Sequence, residues 1–411
     1  MSEDVLKLDL AYGQTGRFAV EFLDRQLMLH HRAPAALPHV DAAVREAFEH
    51  PVEFPGIEQA VLPEDKLVVV IDVDTPCADL IFAELWRRLC LAGVSAENVT
   101  VVQPAIWKKV NGVDPRRLLT EAERDQFPLE RHDPTVEGSC AYLASTAGGE
   151  RVYLSRLLTD ADVVMTIGPV EFDSVLGVRG TASSLYPGLS DVDALRRAQG
   201  QGHEELGPFD VRPFRQMVDE IGWLLGLQLS VAVIPSGGTG AHQIFFGQTD
   251  VVLKQSKQQL KKNWTVRADE RAELVLVTVT ADANGHGWDQ VAAAVDAGRR
   301  LVERNGRIVV LSQIDEAPGP GLEILKTVRE PRDALRPIQK VSTPDLIAAS
   351  RIATAVDWAN VSLLSKRPAA EISDLFLIPL ESEQEARRLL QHEDLTAIIE
   401  SAQHAWVRSG V

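Results

Sequence analysis

The segment from residue 168 to residue 188 concentrates groups that can bind an anion. It follows an apolar run and has glycine at positions 168, 177, 180 and 188, where the lack of a side chain lets a ligand approach the backbone closely. Hydroxyl and backbone N–H groups bind phosphate oxygens, and a guanidinium binds an anion through paired hydrogen bonds. The candidate ligand-binding residues are Arg179, Gly180, Thr181, Ser183 and Ser184. The alternative is a structural loop, but long loops without a function are uncommon in compact domains.

Two carboxylates and a hydroxyl follow the first strongly apolar run, LVVVIDV at 67–73. Asp72, Asp74 and Thr75 could hold a ribose hydroxyl, a metal ion or a proton. The alternative role is to cap the following helix, since Asp and Thr side chains accept hydrogen bonds from the free N–H groups at a helix start. Capping is favoured for Asp74 or Thr75, and both roles stay open for Asp72.

An aromatic side chain and two cations follow the second apolar run, which ends near residue 102. Trp107, Lys108 and Lys109 stand there, and lysines at such a position could clamp a phosphate or a carboxylate. The alternative, slightly favoured, is a solvated lysine pair beside a partly buried tryptophan.

The ten histidines show no HExxH motif or other metal-binding spacing. His132, His203, His242 and His286 lie in polar stretches. Taken singly, each is predicted to be a surface or loop residue rather than a ligand.

Alternating strand-like and helical patterns position these residues. Apolar runs predict strands at 67–73, 99–102, 162–167, 229–234, 274–279 and 307–311, and helical patterns occupy 78–92, 211–226, 248–262, 289–304 and 344–358. This alternation predicts an α/β fold with mostly parallel sheets covered by helices on both faces. Ligands bind such folds at the carboxyl ends of strands and between domains.

The rhythm of strand and helix restarts after a polar stretch at 254–271. We therefore predict two α/β domains, 1–268 and 269–411, with an active-site cleft between them. The loops after residues 73, 103 and 168 are predicted to line this cleft.

The acidic composition of the chain disfavours some classes of binding partner. The chain of 411 residues has 42 basic and 59 acidic residues, a formal net charge of −17, which repels nucleic-acid backbones and anionic lipid surfaces. We expect a small-molecule ligand, with no nucleic acid or membrane partner. The three cysteines fit neither a CxxC pair nor a zinc cluster, and no signal peptide or membrane-spanning run is visible. A reducing cytoplasm is therefore the expected location.

These segments together resemble the lactate racemase family. The likeness extends over nearly the whole chain, including Tyr12-Gly13, residues 44–51, Val69 to Asp72 with Pro76, Arg131-His132-Asp133 and residues 161–168. Most specific is Glu171 followed at the family spacing by Gly177, Gly180, Ser184, Pro187 and Gly188.

The resemblance implies two α/β domains and a nickel-pincer nucleotide that racemises or epimerises 2-hydroxy acids. In the family this cofactor takes a hydride from the 2-carbon while histidines move the hydroxyl proton. Those two histidines fall on Trp107 and Asp173 here, and the lysine that tethers the cofactor falls on Ser183. The nickel-binding histidine falls near Gln199, four residues before His203, and the family arginine after the first strand falls on Thr75. Helix 289–301 offers no lysine near its start for the substrate carboxylate.

Three functional hypotheses follow from this divergent resemblance. The first is a racemase or epimerase of a 2-hydroxy acid that holds the nickel-pincer nucleotide without a covalent bond. Its cofactor would contact Asp72, Thr75, Trp107 and the 179–184 residues named above, with Asp173 or His132 as base and His203 as nickel ligand. The second is a non-catalytic paralogue that binds a nucleotide-like molecule or serves as a partner subunit. The third is an unrelated chemistry that uses Lys108 or Asp173.

Overall fold

The computed structural model describes residues 5–105, 113–127, 129–199, 206–283, 285–391 and 394–409. The chain divides into two compact units. One comprises Ala35–Lys262, and the other combines Met1–Pro34 with Asn263–Val411.

The chain begins with an antiparallel hairpin and one further strand. These elements are β1 (Val5–Tyr12), β2 (Gly16–Leu23) and β3 (Leu27–His31). Alternate residues of β1 and β2 are buried, including Leu10, Phe18 and Phe22. This alternation is typical of a hairpin with one face on a core.

The middle unit contains alternating strands and helices. They are α1 (Val40–Glu49), α2 (Ile57–Ala60), β4 (Leu67–Ile71), α3 (Ala78–Leu91), β5 (Val99–Gln103), α4 (Glu121–Gln126), β6 (Leu129–Arg131), β7 (Cys140–Ser145), β8 (Arg151–Ser155), α5 (Arg156–Thr159), β9 (Val163–Pro169), β10 (Glu171–Asp173), β11 (Gly177–Arg179), α6 (Val192–Gln199), α7 (Pro213–Leu225), β12 (Leu229–Pro235), β13 (Ala241–Gln248) and α8 (Thr249–Trp264).

The main sheet of this unit has the order β13–β12–β9–β4–β5–β6. All neighbours are parallel except the β12–β13 pair. Both faces of β4 are buried: Val69 and Ile71 pack into one core cluster, and Val68 and Val70 pack into the other. The uninterrupted apolar run therefore forms a central strand with helices on both sides.

The last part of the chain contains β14 (Thr265–Ala268), β15 (Ala272–Thr278), α9 (Trp288–Leu301), β16 (Val302–Leu311), α10 (Pro320–Leu325), α11 (Leu335–Val341), α12 (Leu346–Trp358), β17 (Asn360–Leu364), α13 (Ala369–Ser373), β18 (Ile378–Leu380), α14 (Glu383–Leu389), β19 (Thr396–Ile399) and β20 (Trp406–Ser409). Its main sheet has the order β18–β17–β16–β15–β19–β3, and every neighbouring pair is parallel. Val275 and Val277 of β15 face the helices α9 and α12, whereas Leu274 and Leu276 pack against the β1–β2 hairpin.

The predicted α/β class with mostly parallel sheets is confirmed. The domain bounds differ from the predicted 1–268 and 269–411, because residues 1–34 lie in the unit with Asn263–Val411. The physical reason is that β3 pairs with β19 and the hairpin buries Phe18 and Phe22 against the second sheet. The second boundary, at residue 262, lies close to the predicted one.

Candidate functional site

The carboxyl ends of three neighbouring parallel strands meet at one edge of the Ala35–Lys262 sheet. Strands β9, β4 and β5 are adjacent and parallel, so the chain leaves all of them at the same edge. The backbone N–H of Ala105, after β5, donates to the carbonyl of Gly188 at 2.7 Å. The loops predicted to share a site, those after residues 73, 103 and 168, therefore lie together within this unit.

Arg179, on β11, joins the acidic residues of this edge. Its guanidinium lies 2.9 Å from Asp74 Oδ2 and 3.7 Å from Asp72 Oδ2. Its Nε donates to Glu171 Oε2 at 3.0 Å, and Nη2 also bonds this oxygen. Asp72 and Asp74 follow β4, whereas Glu171 and Arg179 face each other across the β10–β11 hairpin. The ion cluster thus ties this hairpin to the loop after β4, and Arg179 is committed to carboxylates rather than presented to a ligand.

Asp72 resists ionisation in this environment. Burial raises the pKa of its carboxyl, and the neighbouring charges of Asp74 and Glu171 raise it further, although Arg179 opposes them. Counting formal charges, the cluster of Asp72, Asp74, Glu171 and Arg179 carries 1 − 3 = −2 when all are ionised. Its field repels an anion and favours hydroxyl donors or cations.

Thr75 closes the turn after β4. Its hydroxyl donates to the carbonyl of Asp72 at 2.5 Å, and its N–H donates to the same oxygen at 3.1 Å. Helix α3 begins at Ala78. The residue before it, Cys77, has a left-handed backbone with φ 57°. The prediction that Asp74 or Thr75 caps this helix is therefore corrected for Thr75, because its hydroxyl stabilises the preceding turn.

A short turn at 180–184 brings hydroxyl groups to the same edge. Ser183 Oγ accepts from the backbone N–H of Gly180 at 2.7 Å, so this hydroxyl stabilises the turn. The hydroxyls of Thr181 and Ser184 are buried, and neither has a hydrogen-bond partner among the described residues. Ser184 Oγ lies beside Gly168, where an added Cβ would come within 2.9 Å of it and 3.5 Å from Asp72 Cβ. The absence of a side chain at Gly168 thus keeps space between the Ser184 hydroxyl and Asp72.

Gln103 adds a further buried polar group at this edge. It is the last residue of β5, its side chain is 5% exposed, and its Oε1 has no partner within the described ranges. A buried amide oxygen is costly unless a donor satisfies it. Gln103 and Glu171 were not among the predicted site residues. The available signal was a polar side chain at the end of an apolar strand run.

Two buried arginines, Arg212 and Arg215, bond backbone carbonyls of the β10–β11 hairpin. Arg215, on α7, donates to the carbonyl of Val178 at 3.1 Å and pairs with Asp219 at 2.5 Å. Arg212 donates to the carbonyl of Ser174 at 2.9 Å. These bonds hold the β10–β11 hairpin in place.

The two described candidate bases, Asp173 and His132, differ in their hydrogen-bond partners. Asp173 Oδ1 accepts from the backbone N–H groups of Val175 and Leu176 at 2.8 and 2.7 Å, so this oxygen stabilises the hairpin turn. His132 Nε2 lies 2.8 Å from the carbonyl oxygen of Ser190. Because a carbonyl only accepts hydrogen bonds, Nε2 carries the proton and Nδ1 holds the lone pair.

Trp107, Lys108 and His203 lie outside the described residues, so their predicted roles stay predictions. Within the part of the chain that the structure describes, no group of three or more His, Cys, Asp or Glu side chains is arranged to hold a metal ion. None of the described helices is both long and apolar enough to cross a membrane.

Comparison with known proteins places the chain beside lactate racemase. Residues 12–201 match the family described as the lactate racemase N-terminal domain. The structure of the lactate racemase apoprotein from Thermoanaerobacterium thermosaccharolyticum superposes with a TM-score of 0.81 at 16% identity, covering 98% of this chain and 100% of that one. A crystal structure of a Thermotoga maritima protein matches with a TM-score of 0.65 at 12% identity, over 90% of this chain and 98% of that one. No curated protein matches the sequence significantly.

Proposed function

Because residues 12–201 match the lactate racemase N-terminal domain family, we propose that the protein is a racemase or epimerase of a 2-hydroxy acid. In this proposal a nickel-pincer nucleotide binds without a covalent bond at the carboxyl edge formed by β9, β4 and β5. The observation that carries it is the pair of buried hydroxyls, Thr181 and Ser184, which lack a partner among the described residues.

The polar groups at this edge fit the sugar part of a nucleotide. Thr181, Ser184 and Gln103 offer hydroxyl and amide groups, and Asp72 can accept a hydrogen bond from a sugar hydroxyl. They do not offer a free cation to a phosphate, because Arg179 is held by Asp74 and Glu171. A phosphate would instead depend on backbone N–H groups or on residues outside the described ranges.

Covalent attachment has no suitable nucleophile at the described loop. Ser183 stands at the position of the tethering lysine, and its hydroxyl accepts from the Gly180 N–H. A serine hydroxyl needs an activating base to act as a nucleophile. We therefore propose that the cofactor is retained by hydrogen bonds and burial alone.

His132 is the preferred proton acceptor of the described candidates. When bound, the cofactor would supply the hydride chemistry at the 2-carbon of the acid. The lone pair on His132 Nδ1 is in the correct tautomer to take a hydroxyl proton, since Nε2 donates to Ser190. Asp173 is less suited because its Oδ1 already holds the turn.

Native purification tests the proposal directly. The protein is co-expressed with the enzymes that synthesise the cofactor and analysed by native mass spectrometry and metal analysis. We expect about one nickel and one nucleotide mass per chain, both lost on denaturation. The variant Thr181→Val/Ser184→Ala should retain less of both, whereas Thr159→Val, a change of a partly exposed threonine elsewhere, should retain both. A mass that survives denaturation and maps to 179–188 would contradict non-covalent binding.

The alternative is a non-catalytic paralogue. One observation favours it: in the described parts of the loops after β4, β5 and β9, the cations are Arg116, Arg117 and Arg179, and each is paired with a carboxylate. A substrate carboxylate would then lack its usual partner at this edge. An empty protein in the native mass spectrum, with and without the cofactor-synthesis enzymes, would support this alternative.

A further inference from the structure

A pocket separate from the candidate site lies along helix α8, within the Ala35–Lys262 unit. Its volume is about 350 Å³, and it is lined by one face of α8 together with Phe209. The lining residues of the helix are Asp250, Leu253, Lys254, Lys257, Gln258 and Lys261. This volume falls within the range of small-molecule sites.

Three lysines of this pocket share one face of the helix. Lys254, Lys257 and Lys261 are spaced by three and four residues, which places them on successive turns of the same side. In the part of the chain described by the structure, none of their ammonium groups forms a salt bridge. Arginines such as Arg88 and Arg299, by contrast, are paired with carboxylates.

The walls of the pocket combine apolar surface with positive charge. The Lys261 ammonium lies 5.2 Å from the centre of the Phe209 ring, and lysine stems add methylene surface beneath their charged ends. Lys257 is half-buried, and burial lowers the pKa of its amine, with Arg215 acting in the same direction and Asp219 opposing. With Asp250 included, the formal charge of the lining is 3 − 1 = +2.

From this arrangement we infer that the α8 pocket binds a phosphate monoester with a flat apolar body. A phosphate monoester carries a charge of about −1.5 to −2 at pH 7, which matches the net charge of the lining. The apolar body would pack on Phe209 and the lysine stems, and the phosphate would contact Lys254, Lys257 and Lys261. Lysine binds phosphate as a point charge without a fixed geometry, so three ammonium groups on one helix face suffice.

The pocket is connected to the candidate site through packed aromatic rings. Phe209 meets Phe172 edge to face, with 5.9 Å between ring centres. Phe172 lies in β10 between Glu171 and Asp173. The α8 pocket is nevertheless separate in its lining from Asp72, Arg179 and Ser184, so its ligand is not the one bound at the carboxyl edge.

Calorimetry with 1-naphthyl phosphate tests this inference, with inorganic phosphate and 1-naphthol as comparison ligands. We expect 1-naphthyl phosphate to bind at least about tenfold more tightly than either, because only it satisfies both the charge and the apolar walls. Lys257→Met should weaken binding about tenfold, since methionine keeps the stem and removes the charge. Lys262→Met is the matched control, because Lys262 lies on the same helix outside the pocket lining, and it should change binding less than about twofold.

Amine acetylation of the unmodified protein gives a second measurement that needs no variant. Saturating 1-naphthyl phosphate should protect Lys254, Lys257 and Lys261 from acetylation and leave Lys262 equally reactive. Equal effects at Lys257 and Lys262, equal affinity for inorganic phosphate, or the absence of saturable binding would each overturn the inference. Neither measurement uses nickel or a 2-hydroxy acid, so the result is independent of the proposed function.

Discussion

Arg179 neutralises carboxylates that come from two separate loops, and this makes its removal informative. Asp72, Asp74 and Glu171 have side chains 15–17% exposed, so loss of the guanidinium leaves largely buried charges without their counter-ion. We predict that Arg179→Met lowers the free energy of unfolding by about 3–5 kcal/mol at pH 7. Urea unfolding measures the change. Arg17→Met, which removes an exposed pair with Asp9 at 3.6 Å, should cost less than about 1 kcal/mol.

The same variant has a predictable pH dependence. The folded-state pKa of Asp72 is raised, so its protonation favours the folded state and this contribution is lost as the pH rises through the raised value. Acidification therefore relieves the repulsion left by Arg179→Met, and the stability difference from the unmodified protein should be smaller at pH 5 than at pH 7. An unchanged difference would mean that lost packing, rather than unbalanced charge, causes the destabilisation.

His286 gives a second pH prediction at the residue scale. Burial lowers the pKa of its imidazole to about 4, and Nε2 accepts from the backbone N–H of Gln313 at 3.0 Å. Protonation of His286 Nε2 would place its new hydrogen against the N–H hydrogen of Gln313 and break this bond. Because the folded state binds the proton more weakly than the unfolded state, stability is full above about pH 6.5 and falls toward about pH 4.

Unfolding free energies measured from pH 7.5 to pH 4 test the role of His286. We expect His286→Gln to be less stable at pH 7 but to lose roughly 3 kcal/mol less on acidification than the unmodified protein. His50→Gln, at an exposed position, should keep the original slope. Parallel pH profiles for the His286 variant and the unmodified protein would show that other groups dominate this range.

At the scale of elements, the β1–β2 hairpin packs on one face of the sheet that contains β15, β16 and β19, strands that follow it by more than 240 residues. Phe18 is fully buried and packs in the same cluster as Leu276 and Leu311. We predict that Phe18→Ala lowers the unfolding free energy by about 3–5 kcal/mol. Ala19→Ser, at the adjacent exposed position, should change it by less than about 0.5 kcal/mol.

Hydrogen exchange identifies which part of the molecule the Phe18 substitution affects. Amides of β15, β16 and β19 should lose protection, because the hairpin covers their face of the sheet. Loss of protection confined to β4 and β9 would contradict the assignment of residues 1–34 to the unit with Asn263–Val411.

The elements that the sequence predicts well are those determined by local pattern. The apolar runs at β4, β12 and β15 are buried on both faces and read directly as central strands. Helices α7, α8 and α12 lie within two residues of their predicted bounds. In contrast, α9 ends at Leu301 and β16 starts at Val302, before the predicted strand at 307, since nothing in the local polar sequence marks that junction.

At the scale of the whole molecule, pairing between strands that are distant in sequence determines the sheet order, which local sequence patterns do not indicate. β3 pairs with β19, about 370 residues later, and no periodicity in either segment indicates this. Because the carboxyl ends of parallel strands share one edge of a sheet, the sequence predicts that the loops after β4 and β9 meet. The ion pairs of Arg179 with Asp74 and Glu171 depend instead on side-chain positions that the sequence pattern does not determine. The same limit applies to Gln103, whose burial depends on its neighbours in space.

The resemblance to lactate racemase, which places Trp107 and Asp173 where the family has histidines, leads to a prediction for the activity of the protein. In the mechanism that the resemblance implies, a base must take and return the hydroxyl proton of each enantiomer, and each general base contributes about 10²–10⁴-fold. Trp107 stands at one position, and indole does not act as a base, because the lone pair of its nitrogen belongs to the aromatic π system. Asp173 stands at the other, where its Oδ1 holds the hairpin turn through Val175 and Leu176. We therefore predict that interconversion of L- and D-lactate is absent or very weak.

A chiral assay with the nickel cofactor supplied measures this activity. The unmodified protein is compared with Trp107→His/Asp173→His/Ser183→Lys, which restores the family residues at all three positions. The restored variant should exceed the unmodified protein by at least about 10²-fold, the contribution of a single positioned base. Asp125→His, which adds a histidine at an exposed helical position of the same unit, should gain no activity. Racemisation by the unmodified protein at roughly 10 s⁻¹, an ordinary enzymatic rate, would refute the prediction. His132, the preferred proton acceptor, and a second group other than Trp107 and Asp173 would then have to supply the bases.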